Sequence, residues 1–442
     1  MIAFSLVLTL ACFVLMFLVP REYKLAILFM GTILMSLVIL PFKGVTAQMV
    51  ITLGFILSEV KDYKKHLRWI KGSVIVPFLV LAIVSFILAV ATSEHLHNLN
   101  DFGYFALSEL MVKNLALLYG FLALRKCESL APLVYVSFGA LVLMTIAGVA
   151  NYIEGSSFLV DTLFQDSLTD YDYITAERFR VQATFLNPFD YGFMCVLLAL
   201  IHLYAFLQKM EGKAMLAIAQ ACCLFGVFTC NCRTILFCYV ICALVFAVAM
   251  QKDRKRKLQI VLVSFVAGMV LITAFPMARR TALSVLSIFD ASSTIRGSSL
   301  GMRILQLGTV LYYISGRYMF FGRGVHFFEL DLGWENGSAL AADSDLYGLE
   351  GIYLNLLLER GIVGFALYLA MIALVFFAIV RGRKYGIKPY SLGISVFALY
   401  FLFSFMTGEL LSAVPSFYIL GYVLANQSFR KRVIERRKRC EV

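Results

Sequence analysis

The chain has 442 residues, 61% of them hydrophobic and only 15% charged, with a mean hydropathy of +0.86 and a formal net charge of +12. A soluble chain carries about 25% charged residues, so the composition excludes a water-soluble globular protein and describes one that crosses a membrane repeatedly. Nor does the positive charge imply nucleic acid: it lies in loops beside apolar runs, where it sets orientation and attracts anionic lipid.

Runs of roughly 17–25 apolar residues span a bilayer. In chain order they fall at 2–19, 25–41, 44–60, 72–92, 103–124, 129–150, 188–207, 214–230, 234–250, 258–276, 361–380, 391–407 and 410–425. The prediction is an all-α polytopic membrane protein of about 12–13 transmembrane helices, one integral domain over 1–442 with no internal repeat. The first run has neither a basic lead-in nor a small-residue cleavage site, so it reads as a span and not a signal peptide. Ten cysteines are present, but most sit inside apolar runs, where Cys behaves as a small hydrophobe. Cys230 and Cys232 are too close in sequence for an easy bridge. No zinc-type spacing with histidine occurs, and no metal or cofactor is expected.

Basic clusters recur at every second loop: Arg21/Lys24, Lys61 to Lys71, Arg125/Lys126, Lys209/Lys213, Lys252 to Lys257, Arg381 to Lys388 and Arg430 to Arg439. Threading them to the cytoplasm places the amino terminus outside and leaves twelve basic residues off that side. They are Lys43, Lys113, Arg178, Arg180, Arg233, Arg279, Arg280, Arg296, Arg303, Arg317, Arg323 and Arg360. Ten of the twelve are arginine, against the positive-inside bias. A guanidinium is a rigid, always-charged fork suited to phosphate and carboxylate. The outward arginines therefore point to an anionic substrate, and a lipid pyrophosphate suits the setting.

Two long outer loops are expected, at 151–187 and 277–360. The second, with some eighty residues, is too long for an inert connector. Within it, Gly301 to Arg317 has the apolar spacing of an amphipathic helix. A second helix is predicted from Leu346 to Arg360, running straight into the next span and sharing one face among Glu350, Tyr353, Leu354 and Leu357.

Three segments carry the chemistry. Asn187 and Pro188 predict a helix cap and first turn directly after Arg178 and Arg180, and a helix amino terminus attracts anions. The alternative for this segment is a plain cap with interfacial arginines. Arg233 sits in a tight turn between two barely adequate spans, with either a ligand or the nearby Asp190 as partner. The large loop adds Arg303, then Gly322-Arg323-Gly324 and His326, an acidic stretch including Asp343 and Asp345, and finally Glu350 before Tyr353.

In that order these pieces resemble the O-antigen polymerase and O-antigen ligase superfamily. The matched motifs are Arg180 to Pro188, the Cys232-Arg233 turn, an Arg-led helix ending in Gly322-x-Gly324, and Tyr353-Leu354 followed by Gly361-Ile362-x-Gly364. The resemblance covers roughly residues 175–380. Family ligases carry a histidine just before the Tyr-Leu element. Here that neighbourhood offers Glu350, and His326 does not match the position, which favours polymerase over ligase.

The resemblance implies a metal-independent glycosyltransferase of the bacterial inner membrane with its active site outward. It would join polyprenyl-pyrophosphate-linked repeat units into O-antigen, capsule or exopolysaccharide, alongside flippase and chain-length-regulator proteins. Arg180, Arg233 and Arg303, backed by Arg178 and Arg323, are the expected pyrophosphate ligands. Glu350 is the expected base, with Asp343, Asp345 and His326 in reserve; a salt bridge is the bland alternative for Glu350. A transporter or flippase of lipid-linked glycan is the main competitor from another class, with Glu109 and Lys113 as its mid-span charges. A non-catalytic assembly partner is the remaining reading.

Overall fold

The structure is a computed structural model that describes residues 2–34, 45–123, 129–155, 180–185, 187–274, 283, 300–327, 331–332, 346, 349, 351–408 and 413–440. Among these residues the regular secondary structure is all helical, without extended strands. In chain order the α-helices are α1 (Ile2–Leu18), α2 (Arg21–Leu34), α3 (Ala47–Glu59), α4 (Tyr63–Ile70), α5 (Ile75–Thr92), α6 (Leu99–Phe105), α7 (Ala116–Ala123) and α8 (Ala131–Glu154). They continue with α9 (Pro188–Leu207), α10 (Lys213–Thr229), α11 (Arg233–Met250), α12 (Arg254–Ala274), α13 (Leu300–Tyr313), α14 (Ile352–Gly382), α15 (Tyr390–Thr407) and α16 (Val414–Cys440).

Among the described residues, six helices are long and apolar enough to cross a membrane: α5, α8, α9, α11, α14 and α15. A seventh crossing arises if α6, its π-helical continuation Ala106–Asn114 and α7 count as one bent span. Several of the remaining sequence-predicted spans are helical but shorter, as in α1, α3 and α10. Burial separates a central helix from a periphery. α9 is buried over most of its length and packs against α8, α10, α11 and α15. α5 and α8 carry outward rows such as Val80, Ile83, Ile87, Leu143 and Ile146 that remain exposed, as suits helices bordered by lipid.

One end of the bundle gathers the lysine-rich segments. Glu59 accepts from Arg21 and Lys24 (2.8 Å each) and meets His66 at 2.9 Å. Hydrogen bonds from Lys65 and Arg21 hold the Asp62 carboxyl well below the usual carboxylate range. The Arg432 guanidinium lies 4.3 Å from the Trp69 ring centroid and bonds the Trp69 carbonyl. At the same end His202 and Glu211, both fully buried, pair at 2.7 Å.

Helices α7 and α16 cross with their backbones close together. Gly120 and Gly421 face each other there, each with its Cα hydrogen pointing at the other helix's backbone. Small residues let backbones approach closely where no side chain intervenes.

Two predicted features take a different form. The run 103–124 changes to π-helix over Ala106–Asn114 and bends by 45° before α7. The helix that leads into the next span begins at Ile352, with Leu346 and Leu349 outside it. Gly351 (φ 94°, ψ 118°) is its non-helical N-cap, and Gly361 (φ 61°, ψ −165°) breaks the helix again. That break receives the loop before it. The amides of Ile362 and Val363 donate to the carbonyls of Met319 and Phe320 (3.0 Å each), and those of Arg323 and Gly324 donate to Leu358 and Glu359 (2.8 and 2.9 Å).

A Cβ on Gly361 would stand 2.5 Å from the Gly322 nitrogen and the Phe320 carbonyl. Its backbone conformation is also nearly exclusive to glycine, at a cost of about 1–3 kcal/mol for other residues. Gly361→Ala is therefore expected to unseat residues 319–324. Limited proteolysis should then cut near Arg317 or Arg323 faster than in the wild type, with the bundle still folded.

Candidate functional site

At the end opposite the lysine-rich segments, three sequence-predicted arginines are brought to a common layer. Asn187 caps α9: its side-chain oxygen accepts from the Phe189 amide at 2.8 Å, with Pro188 in the first turn. The short segment before the cap folds back on the α10–α11 turn, where the Val181 amide donates to the Thr229 carbonyl at 3.1 Å. This seats Arg180, with its guanidinium 5.9 Å from the Phe189 ring centroid, beside Cys230. Arg233 is the first residue of α11, one turn of chain away. The turn is tight because Asn231 adopts φ 50°. Cys232 offers no side-chain cap to α11; its thiol bonds the Cys230 carbonyl at 3.1 Å. The two cysteines are free, as their spacing predicted.

Helices α9, α11 and α15 bring the third arginine into this layer. Phe193 meets Phe403 with ring centroids 4.6 Å apart, so the first turns of α9 and the last turns of α15 are level. Arg303, on α13, bonds the Met406 carbonyl at 3.3 Å and the buried Gln306 side chain at 2.9 Å. A cation over a helix carboxyl end is favourable in its own right. Tyr353 stacks on Phe405 at 4.8 Å beside it. Arg180, Arg233 and Arg303 thus arrive from three distant stretches of chain at one end of the bundle.

The other sequence-predicted residues divide. Arg323 is built into the packed loop: it stacks 3.8 Å from the Tyr318 ring centroid and donates to the Tyr313 carbonyl at 2.7 Å. That makes it a strut more than an open ligand. His326 lies half-buried at φ 66°, and its amide donates to the Glu359 carboxylate at 3.3 Å. Arg178, Asp343, Asp345 and Glu350 lie outside the described residues. The shared face expected for Glu350 with Tyr353 lies outside them as well; Tyr353 itself stands in the first turn of α14.

Two features were missed in the sequence. His95 and Asp331 pair at 2.8 Å, joining the segment after α5 to the large loop. Ser93 reinforces that contact by accepting from the Val325 amide at 2.7 Å. Arg360, expected in the outer loop, instead turns to Glu109 at 2.7 Å. The Glu109–Lys113 pair itself was legible from its spacing and is present at 3.3 Å. No residue pattern announces contacts across 236 or 251 positions.

No protein-family model matches this chain, and no curated protein matches it. The reading of the site therefore rests on the motifs and on their placement.

Proposed function

We propose that this protein is a polymerase that joins polyprenyl-pyrophosphate-linked oligosaccharide repeat units on the outer face of the bacterial cytoplasmic membrane. In this reading the chain crosses the membrane 12–13 times, as its sequence-predicted spans imply, with the lysine-rich end cytoplasmic. The observation that carries the reading is the convergence of Arg180, Arg233 and Arg303, each within a family-like motif, at the end opposite the lysines.

The chemistry follows from that placement. An acceptor sugar hydroxyl attacks the anomeric carbon of the donor glycan. A new C–O bond forms, the bond to pyrophosphate breaks, and the hydroxyl proton passes to a base. Arginines positioned at the leaving group stabilise its growing charge through charge-assisted hydrogen bonds. Glu350 is the proposed base, with Asp343, Asp345 and His326 in reserve; a carboxylate partly withdrawn from water takes up a proton more readily.

A one-step displacement inverts the anomeric centre. The linkage between repeats should therefore have the opposite configuration to the sugar–pyrophosphate bond of the donor, as read by NMR of polymer from cells that express the protein. Retained configuration would rule out the one-step route. If cells lacking the protein still polymerise but no longer transfer finished chains, the ligase reading replaces the polymerase.

A further inference from the structure

At the lysine-rich end of the bundle an apolar row runs off α3 and onto α4. Leu53, Leu57 and Val60 follow helical spacing, and Tyr63 and Leu67 continue it after the short helical turn Val60–Asp62. All five are exposed, Val60, Tyr63 and Leu67 by 55%, 53% and 62%. The other face of α4 is fixed from behind. His66 is buried against Glu59, Trp69 packs on Phe121 and Phe429, and Arg432 bonds the carbonyls of Trp69 and Lys71. The apolar row is thus held outward, and the spanning helix α5 begins at Ile75, directly after this segment.

Charge beside the row indicates what covers it. Lys61, Lys64, Arg68 and Lys71 flank it, all exposed. None of the four forms an ion pair with a carboxylate of the described residues, whereas Arg21, Lys24 and Lys65 are taken up by Glu59 and Asp62. A soluble acidic partner would answer the charges but would give Leu53 and Leu57, on the same row within α3, no apolar neighbour. Hydrocarbon suits the whole row, as it does the outward rows of helices bordered by lipid. The basic side chains then lie at headgroup depth, where Lys and Arg extend their charge to the membrane surface. A helix whose exposed side mixes Lys and Arg with Tyr and Leu has the pattern of one lying in the membrane interface.

We propose that the Val60–Lys71 face binds anionic phospholipids of the adjoining leaflet, with Val60, Tyr63 and Leu67 in hydrocarbon and Lys64, Arg68 and Lys71 on the headgroups. One basic residue near a charged membrane surface is worth about a five-fold preference, so the lipid beside α4 is enriched in anionic species. No step of polymerisation enters, and the proposal stands or falls separately from the polymerase reading.

The test places a diazirine-bearing leucine analogue at position 67 of the full chain, reconstituted in vesicles of equimolar phosphatidylglycerol and phosphatidylcholine. After irradiation, adducts on the labelled peptide are read by mass. Phosphatidylglycerol adducts should exceed phosphatidylcholine adducts by about five-fold or more. Lys64→Gln/Arg68→Gln/Lys71→Gln should bring the two near parity. The matching change in another exposed basic cluster, Lys252→Gln/Arg254→Gln/Lys255→Gln, should leave the ratio as it was. Equal adducts with the basic residues unaltered, addition of water in place of lipid, or a crosslink to a second copy would each overturn the proposal. So would a preference that survives the first triple variant or is lost in both. Should the first variant fail to fold, the unaltered basic residues are read in about 1 M salt, where screening should level the ratio; an unchanged ratio there rejects the site.

Discussion

Gly120→Val and Gly421→Val are each expected to destabilise the protein by about 3 kcal/mol, at the upper end of overpacking costs. A Cβ at Gly120 would run into the Tyr418 backbone, and one at Gly421 into the Leu117 carbonyl and the Phe121 amide. Neither obstacle is a flexible side-chain end, so the only relief is separation of α7 from α16. That separation would also disturb Trp69, which packs on Phe121 and Phe429 and holds Arg432. Thermal melting in detergent should show a fall of several degrees for either variant. The double variant should cost less than the sum of the singles, because both act on one crossing. Gly139, whose added Cβ would meet nothing, is the control: Gly139→Ala in α8 should melt at or above the wild-type temperature, since alanine is the better helix former.

Arg233→Ala should reduce repeat-unit polymerisation on the order of 100-fold, the scale seen when one preorganised donor to a developing anion is removed. Its position gives the reason. Arg233 opens α11 beside Arg180, at a helix amino end with no side-chain cap, and helix dipole and guanidinium act there on the same charge. Arg233→Lys keeps the charge but loses the planar fork, so it should recover part of the activity and fall short of wild type. Both variants should melt near the wild-type temperature, because Arg233 is only half-buried. A melting temperature that fell in step with activity would mark Arg233 as structural.

The parts of this molecule that local rules govern were legible. The Asn187–Pro188 cap needs only its own residues and their neighbours. The Glu109–Lys113 pair follows from helical spacing, and the lysine-rich loops follow from alternation along the chain. The parts set by distant contacts were not. Gly361 was legible only as a motif glycine at the start of a span; that it breaks the helix where residues 319–324 dock against it was not. The bend between Asn114 and Ala116 left no proline or glycine pair to mark it. Arg360 counted as an outer-loop cation by its place in the sequence; only the fold turns it toward Glu109. Arg323, singled out as a ligand, is occupied by Tyr313 and Tyr318, two aromatic neighbours whose roles no spacing revealed.

The most direct measurement of the central claim uses the purified protein and a synthetic polyprenyl-pyrophosphate repeat unit of the parent organism, with EDTA present and no nucleotide sugar. Products are read as a ladder by gel or mass spectrometry. The account predicts a ladder from wild type, a nearly absent one from Arg233→Ala, and a weakened one from Glu350→Gln. A repeat unit left unconsumed by folded wild-type protein would contradict it and bring the transport reading forward.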